Sequence, residues 1–179
     1  WTTPNTFLAS ANCGRYCGAE VDFVDIDPLT WNLDAFALEA KLDQAEQAGT
    51  LPKVLVAVAF SGQSCDMRKI AELAERYNFI VIEDASHAVG ARYAGCPVGC
   101  GEFAAMTVFS FHPVKIITSG EGGMVLTNRP ELAERLHELG AAAVIVTGGH
   151  GDEAVDHLYD GVEHYEFPVA RYDVPATHG

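Results

Sequence analysis

Nearly unbroken apolar runs recur along this chain, at Lys53 to Phe60, Phe79 to Ile82 and Ala104 to Phe109, and amphipathic helical patterns separate them. A strand that is apolar on both faces has no solvent side, so it belongs inside a mainly parallel sheet covered by helices. Asp34 caps a helix running to about Ala48, with Phe36, Leu38 and Leu42 on its apolar side. Asp66 caps the next, which reaches Tyr77 and carries Ile70, Leu73 and Ala74. Shorter signals complete the order: a helical pattern from Phe7 to Cys17, strands at Val21 to Ile26 and Gly122 to Asn128, and a helix from Glu131 to Leu139. The expected class is α/β. In sheets of this kind ligands lie beyond the carboxyl ends of the strands, and Asp84, Ser110 and Lys115 all fall at such ends.

Composition removes several classes of function. At 179 residues and 49% apolar content the chain is long enough for one good core, and is neither disordered nor membrane-spanning in character. A formal charge of −14 argues against nucleic acid or an anionic membrane as partner, since either demands a basic face. It does not exclude a phosphorylated ligand, which backbone N–H groups can hold locally. The chain starts at Trp1-Thr2-Thr3-Pro4 without a basic leader, a beginning that reads as a fragment or a trimmed front. Five cysteines, an odd number, are expected as reduced thiols in the cytoplasm. Two pairs have C-x3-C spacing, Cys13 with Cys17 and Cys96 with Cys100. They read as small core residues rather than zinc ligands, so no metal is expected.

The chemistry gathers around Ser110-Phe111-His112-Pro113-Val114-Lys115 and the glycine-rich Gly120-Glu121-Gly122-Gly123. A lone lysine where a buried strand ends can lose its proton and form a Schiff base with a carbonyl. Asp84 ends another buried strand. An aromatic aldehyde with a protonated ring nitrogen would need such a carboxylate at the nitrogen, an amine at the aldehyde and donors around its phosphate. Ser110 offers a hydroxyl at a strand end, and Phe7 or His87 can lie flat on the ring. Taken singly, each has a plainer reading. Lys115 can be a surface lysine, Asp84 a helix cap, Phe7 a core residue, His87 a satisfied polar residue near a helix start, and the glycines turn residues. The combination is what points to chemistry.

Residues 1 to about 135 resemble the sugar aminotransferases of the DegT/DnrJ/EryC1/StrS family. The resemblance rests on Thr3-Pro4-Asn5-Thr6-Phe7, on Val21-Asp22-Phe23-Val24-Asp25-Ile26-Asp27, on Ile82-Glu83-Asp84-Ala85-Ser86-His87-Ala88, and on the Ser110 to Lys115 and Gly120 to Gly123 segments. It implies the aspartate-aminotransferase-type large domain (fold type I) and pyridoxal phosphate (PLP) as cofactor. By the same resemblance Lys115 holds the cofactor and moves the proton, and Asp84 pairs with the pyridine nitrogen. His87 lies near the ring, Ser110 at the phosphate, and Phe7 stacks on the ring. The opening Trp1 to Phe7 and the Asp84 to Ala88 segment are similar to the branch that aminates a UDP-linked 4-keto-6-deoxy-N-acetyl-hexosamine on the route to pseudaminic acid. Glutamate is the implied donor, the UDP-sugar the acceptor and a homodimer the implied assembly.

Beyond the helix near 131–139 the texture changes. Leu139 to His150, Asp156 to Gly161 and Thr177-His178-Gly179 resemble the hydroxymethylpyrimidine phosphate kinases, on the ribokinase-like fold. The expected division is therefore 1–135, a partial aminotransferase large domain, and 136–179, a kinase-like fragment joined to it as in a chimera. That fragment is expected to contribute a strand to the main sheet and a hairpin turning at Asp160-Gly161. Two rival functions stand beside the aminotransferase: a non-catalytic α/β scaffold with residual phosphate or PLP binding, and a phosphotransferase fragment that lacks its anion hole.

Overall fold

The computed structural model of the chain describes residues 1–140, 144–146, 155–159 and 164–168. In chain order the elements are α1 (Ala9–Tyr16), α2 (Ala35–Ala48), β1 (Val54–Val58), α3 (Met67–Tyr77), β2 (Ile80–Asp84), β3 (Arg92–Tyr93), β4 (Cys96–Pro97), β5 (Met106–Ser110), β6 (Gly123–Leu126), α4 (Pro130–Glu138), β7 (Val144–Val146), β8 (Val155–Tyr159) and β9 (His164–Pro168). Strands β1, β2, β5 and β6 form one sheet in that order. β1, β2 and β5 run parallel, and β6 returns antiparallel to β5. The α/β class and the mainly parallel sheet are as expected.

The helices form where their caps and apolar spacing place them. Asp34 accepts from the N–H groups of Phe36 and Ala37, and Gly49 closes α2 in the left-handed region at φ 69°. Asp66 accepts from Lys69 N–H at the start of α3. Leu38 and Leu42 of α2, Leu55 of β1, Ile70 and Leu73 of α3 and Val81 of β2 share one buried cluster. Phe36 departs from the expected apolar side: it is 78% exposed. It is the second residue of α2, and its neighbours Ala35 and Leu38 already fill the inward positions.

Three other expectations are corrected. Val21 to Ile26 is not a strand; only isolated bridges join Thr2 to Phe23 and Ile26 to Leu33. The cause is local. Asp22 accepts from Phe23 N–H and Asp25 from Ile26 N–H, so these aspartates take amides that a ladder would need. The cysteine pairs are not core residues: Cys13 and Cys17 are exposed, Cys96 and Cys100 half-buried, and Cys65 alone of the five is buried. Burial pushes the Cys65 thiol up to about 12. Finally, among the described residues no strand of the tail joins the main sheet. β7, β8 and β9 make an antiparallel sheet of their own. The β8–β9 pairing is the expected hairpin, while its turn at Asp160-Gly161 lies outside the described residues.

Register decides what each face of the main sheet carries. Leu55 pairs with Val81, Ala57 with Glu83, and Glu83 with Thr107, so these side chains share the face under α2 and α3. That face is buried at Val81, Glu83, Thr107 and Phe109. The opposite face, with Ile82, Asp84, Met106 and Val108, is only half-buried in β2 and β5, where cover on both faces was expected. Glu83 is 6% exposed and accepts from Thr107 Oγ1 at 3.1 Å. Burial holds its carboxyl above the ordinary carboxylate range, and the Thr107 bond offsets part of that. A carboxyl raised in the folded state binds its proton more tightly there than in the unfolded chain. Its contribution is therefore fully present below the unfolded value and is lost as the pH rises through the folded one. Glu83→Gln is expected to unfold at higher urea than the parent at pH 8 and to lose that advantage by pH 4. Equal midpoints at pH 8 would contradict the assignment.

Candidate active site at the carboxyl ends of β2 and β5

β2 delivers Asp84 to its carboxyl end, on the half-buried face. Three donors meet its carboxylate. Ser10 Oγ of α1 lies 2.8 Å from Oδ2; Ser86 Oγ lies 2.6 Å and Ser86 N 3.2 Å from Oδ1. Ser10 Oγ is in turn 2.8 Å from Thr6 Oγ1. A carboxylate has about four acceptor positions, so one place on Oδ2 is left for a further donor. The donors fix the carboxylate's orientation.

β5 ends at Ser110, whose Oγ accepts from His112 N–H at 3.4 Å. The chain then makes an exposed loop before returning as β6, closed by Phe111 N–H to Gly122 O (2.8 Å) and Ser119 N–H to Phe111 O (3.0 Å). Thr118 Oγ1 also donates to Phe111 O at 2.9 Å. Lys115 sits half-buried in this loop. Its Nζ lies 2.8 Å from His87 Nε2, in the turn after β2. A lysine facing an imidazole rather than a carboxylate is not locked as an ion pair, unlike Lys41 on Asp22 (2.6 Å) and Lys69 on Glu39 (2.9 Å). Its lone pair is therefore available to an electrophile once the proton leaves.

Of the five residues singled out from sequence, the fold joins His87 to Lys115 directly and sets Asp84 three residues before His87 on the same strand exit. Ser110 stands at the neighbouring strand end. Phe7 is not drawn in: it precedes α1 and is 80% exposed. Sequence reasoning passed over Ser10, Thr6 and Ser86. The signal for Ser86 was its place two residues after Asp84, where a hydroxyl and amide fold back on an aspartate. For Thr6 and Ser10 it was the i, i+4 spacing of two hydroxyls at a helix start.

The donor set fits PLP. A carboxylate with one acceptor position left among the described residues suits a pyridinium N–H, and an amine that forms no ion pair among them suits an aldehyde. Hydroxyls and loop amides beyond β5 suit a phosphate.

The model of the DegT/DnrJ/EryC1/StrS aminotransferase family matches residues 1–153. A GDP-perosamine synthase of Caulobacter vibrioides is 46% identical over 134 residues, 75% of this chain and 34% of that protein. A UDP-4-amino-4,6-dideoxy-N-acetyl-beta-L-altrosamine transaminase of Campylobacter jejuni is 42% identical over 144 residues, 80% of this chain and 37% of that protein. Among solved structures, Helicobacter pylori PseC, an aminotransferase involved in the biosynthesis of pseudoaminic acid, superposes with a TM-score of 0.70 at 34% identity. That match covers 79% of this chain and 36% of PseC. The chain thus spans about a third of the length of the curated relatives it matches.

Proposed function

Because this chain belongs to the DegT/DnrJ/EryC1/StrS aminotransferase family, we propose that it is the cofactor-holding portion of a PLP-dependent enzyme that moves an amino group from glutamate to C4 of a UDP-linked 4-keto-6-deoxy sugar. The carrying observation is the pairing of Lys115 Nζ with His87 Nε2 beside the strand end where Asp84 keeps one acceptor position. Bound there, PLP supplies an electron sink that stabilises negative charge at the carbon losing its proton. The chain's own residues do the rest. The Asp84 carboxylate, held by Ser10 and Ser86, receives the ring N–H and keeps it protonated. Lys115 Nζ holds the cofactor through its aldehyde carbon and, when released, carries a proton between donor and acceptor carbons. His87 positions Nζ, and Ser110 Oγ donates to the phosphate. Phe7 has the role of stacking on the ring only if it turns inward from its exposed position.

The nucleotide is part of the proposal, since one relative above is named for a GDP-sugar and the other for a UDP-sugar. The same proposal includes a homodimer and a cytoplasmic location. Among the described residues no helix is long and apolar enough to cross a membrane. It also includes the division into 1–135 and a kinase-like 136–179, although the family match runs on to residue 153. A second reading is favoured by the share of the relatives that this chain spans: an α/β unit that captures PLP but turns nothing over.

The test is incubation with PLP, glutamate and either a UDP- or a GDP-linked 4-keto-6-deoxy sugar, with products identified by mass spectrometry. Amino sugar from the UDP substrate supports the proposal; preference for the GDP substrate corrects the nucleotide. PLP capture without amino sugar selects the second reading. Asp84→Asn removes the charge at nearly constant shape. A hydrogen bond to a charged group contributes roughly 1.5–3 kcal/mol, so the variant should bind PLP about ten- to a hundredfold more weakly by absorbance titration. Unchanged affinity would remove Asp84 from the site.

A further inference from the structure

From β4 towards β5 the sequence Cys96-Pro97-Val98-Gly99-Cys100-Gly101-Glu102 makes a tight turn fixed at several points. Val98 N–H donates to Ala91 O at 2.9 Å and Cys100 N–H to Pro97 O at 3.1 Å. Asn128 Nδ2 donates to Cys100 O at 2.9 Å, and Cys96 itself pairs with Tyr93 across the β3–β4 ladder. Gly99 and Gly101 have φ of +93° and +76°. A Cβ on Gly99 would fall 2.8 Å from Leu126 Cδ1, and one on Gly101 2.3 Å from the Asn128 amide. The loop's path is therefore dictated by the two glycines.

That path folds three ligand atoms onto one point. Cys96 Sγ, Cys100 Sγ and a Glu102 carboxylate oxygen lie within 4.8 Å of one another, and the Cys96 thiol donates to Glu102 Oε2 at 3.0 Å. They line a small cavity shared with Met67, Glu83, Tyr93 and Thr107, on the face of the sheet opposite Asp84. Neither thiol packs as a core residue does, since both are half-buried.

We propose that Cys96, Cys100 and Glu102 bind a divalent cation of the zinc class, with water in the fourth position. Two thiolates and a carboxylate favour zinc over magnesium or calcium, which take oxygen alone. Tetrahedral zinc, with bonds of about 2.0–2.3 Å, sets its ligand atoms about 3.5–3.8 Å apart. The observed spread needs an approach of about 1 Å, within reach of rotation at the cysteine and glutamate side chains. The cation takes the place of the thiol protons and clips the β3–β4 hairpin to the approach of β5. This site is independent of the aminotransferase reading, sharing no residue with it.

The experiment uses the 179-residue chain, reduced with a phosphine, stripped with chelator and titrated with Co²⁺ as a zinc probe. One equivalent should produce a thiolate-to-cobalt charge-transfer band with intense tetrahedral d–d bands, both abolished by equimolar Zn²⁺. Cys96→Ser and Cys100→Ser should each weaken binding by about a hundredfold or more, and Glu102→Gln by at least about tenfold. The double variant Cys13→Ser/Cys17→Ser should bind as the parent does. A measurement on the parent chain guards against misfolded variants: Zn²⁺ should protect Cys96 and Cys100 from alkylation and leave Cys13 and Cys17 reactive. Absence of the charge-transfer band, its loss with the Cys13 and Cys17 pair, or equal alkylation of all four thiols would overturn the site.

Discussion

Replacement of Lys115 by alanine is expected to abolish covalent capture of PLP. The parent chain, mixed with the cofactor and reduced by borohydride, should carry its mass on the peptide containing Lys115; the variant should carry none. The physical case rests on which lysine amine can act as a nucleophile. Lys41 and Lys69 are paired with Asp22 and Glu39, and Lys53 is exposed at the amino end of β1, away from the strand ends of the site. Lys115 instead meets the His87 imidazole, half-buried at the rim where ligands of parallel sheets collect. An amine that must deprotonate to react is penalised by a neighbouring carboxylate, which stabilises its charged form. Lys69→Ala should accordingly leave capture intact. Capture that persists after Lys115→Ala, or that disappears with Lys69→Ala, would refute the assignment.

Leu55→Ala is expected to produce a large loss of stability. Leu55 is fully buried in β1, in the cluster that holds Leu38, Leu42, Ile70 and Leu73. Truncation removes buried methyl groups and leaves a cavity between β1 and the helices α2 and α3 packed on it. The cost of such changes is about 3–5 kcal/mol. Because domains are stable by roughly 5–15 kcal/mol in total, that is a large share, readable from urea unfolding at pH 7. Phe36→Ala removes a larger side chain from an exposed position and should change stability by only about 0.5 kcal/mol or less. A comparable loss from both variants would mean that the core does not lie between α2, α3 and β1.

Much of the fold could be read from the residues, for reasons that explain the failures too. β1, β2 and β5 announce themselves because strands buried on the helix-covered side spend few positions on solvent. Asp34 and Asp66 mark helix starts because an aspartate there takes up amides that the first turn leaves unpaired. The same chemistry misleads at Val21 to Ile26, where the apolar alternation is real but Asp22 and Asp25 bind neighbouring amides. Strand order and the separation of β7–β9 from the main sheet are pairing choices between distant segments, and no local pattern encodes them. At the candidate site, strand ends were legible for Asp84 and Ser110, while Lys115, expected at a strand end, stands in the loop beyond β5. Ser10 was not legible, since a serine inside a short helix gives no hint that it will reach a carboxylate 74 positions away. Cys96 and Cys100 were legible as a pair but not as neighbours of Glu102, because the two left-handed glycines that bend the loop set that meeting.

Glu83 and Asp84 are adjacent in sequence yet serve opposite environments, one buried beneath α3 against Thr107, the other at the rim among hydroxyl donors. Only the parity of β2 separates them. A single-residue insertion or deletion in the Asn78-Phe79 connection, if absorbed as a slip of the strand, would exchange the two acids. It would send the Asp84 side chain into the interior and a glutamate to the ligand side. A two-residue change would restore the facing but displace Asp84 by about 6–7 Å along the strand. Length variation in descendants of this chain should therefore be excluded from that connection while remaining permitted in the exposed loop between β5 and β6.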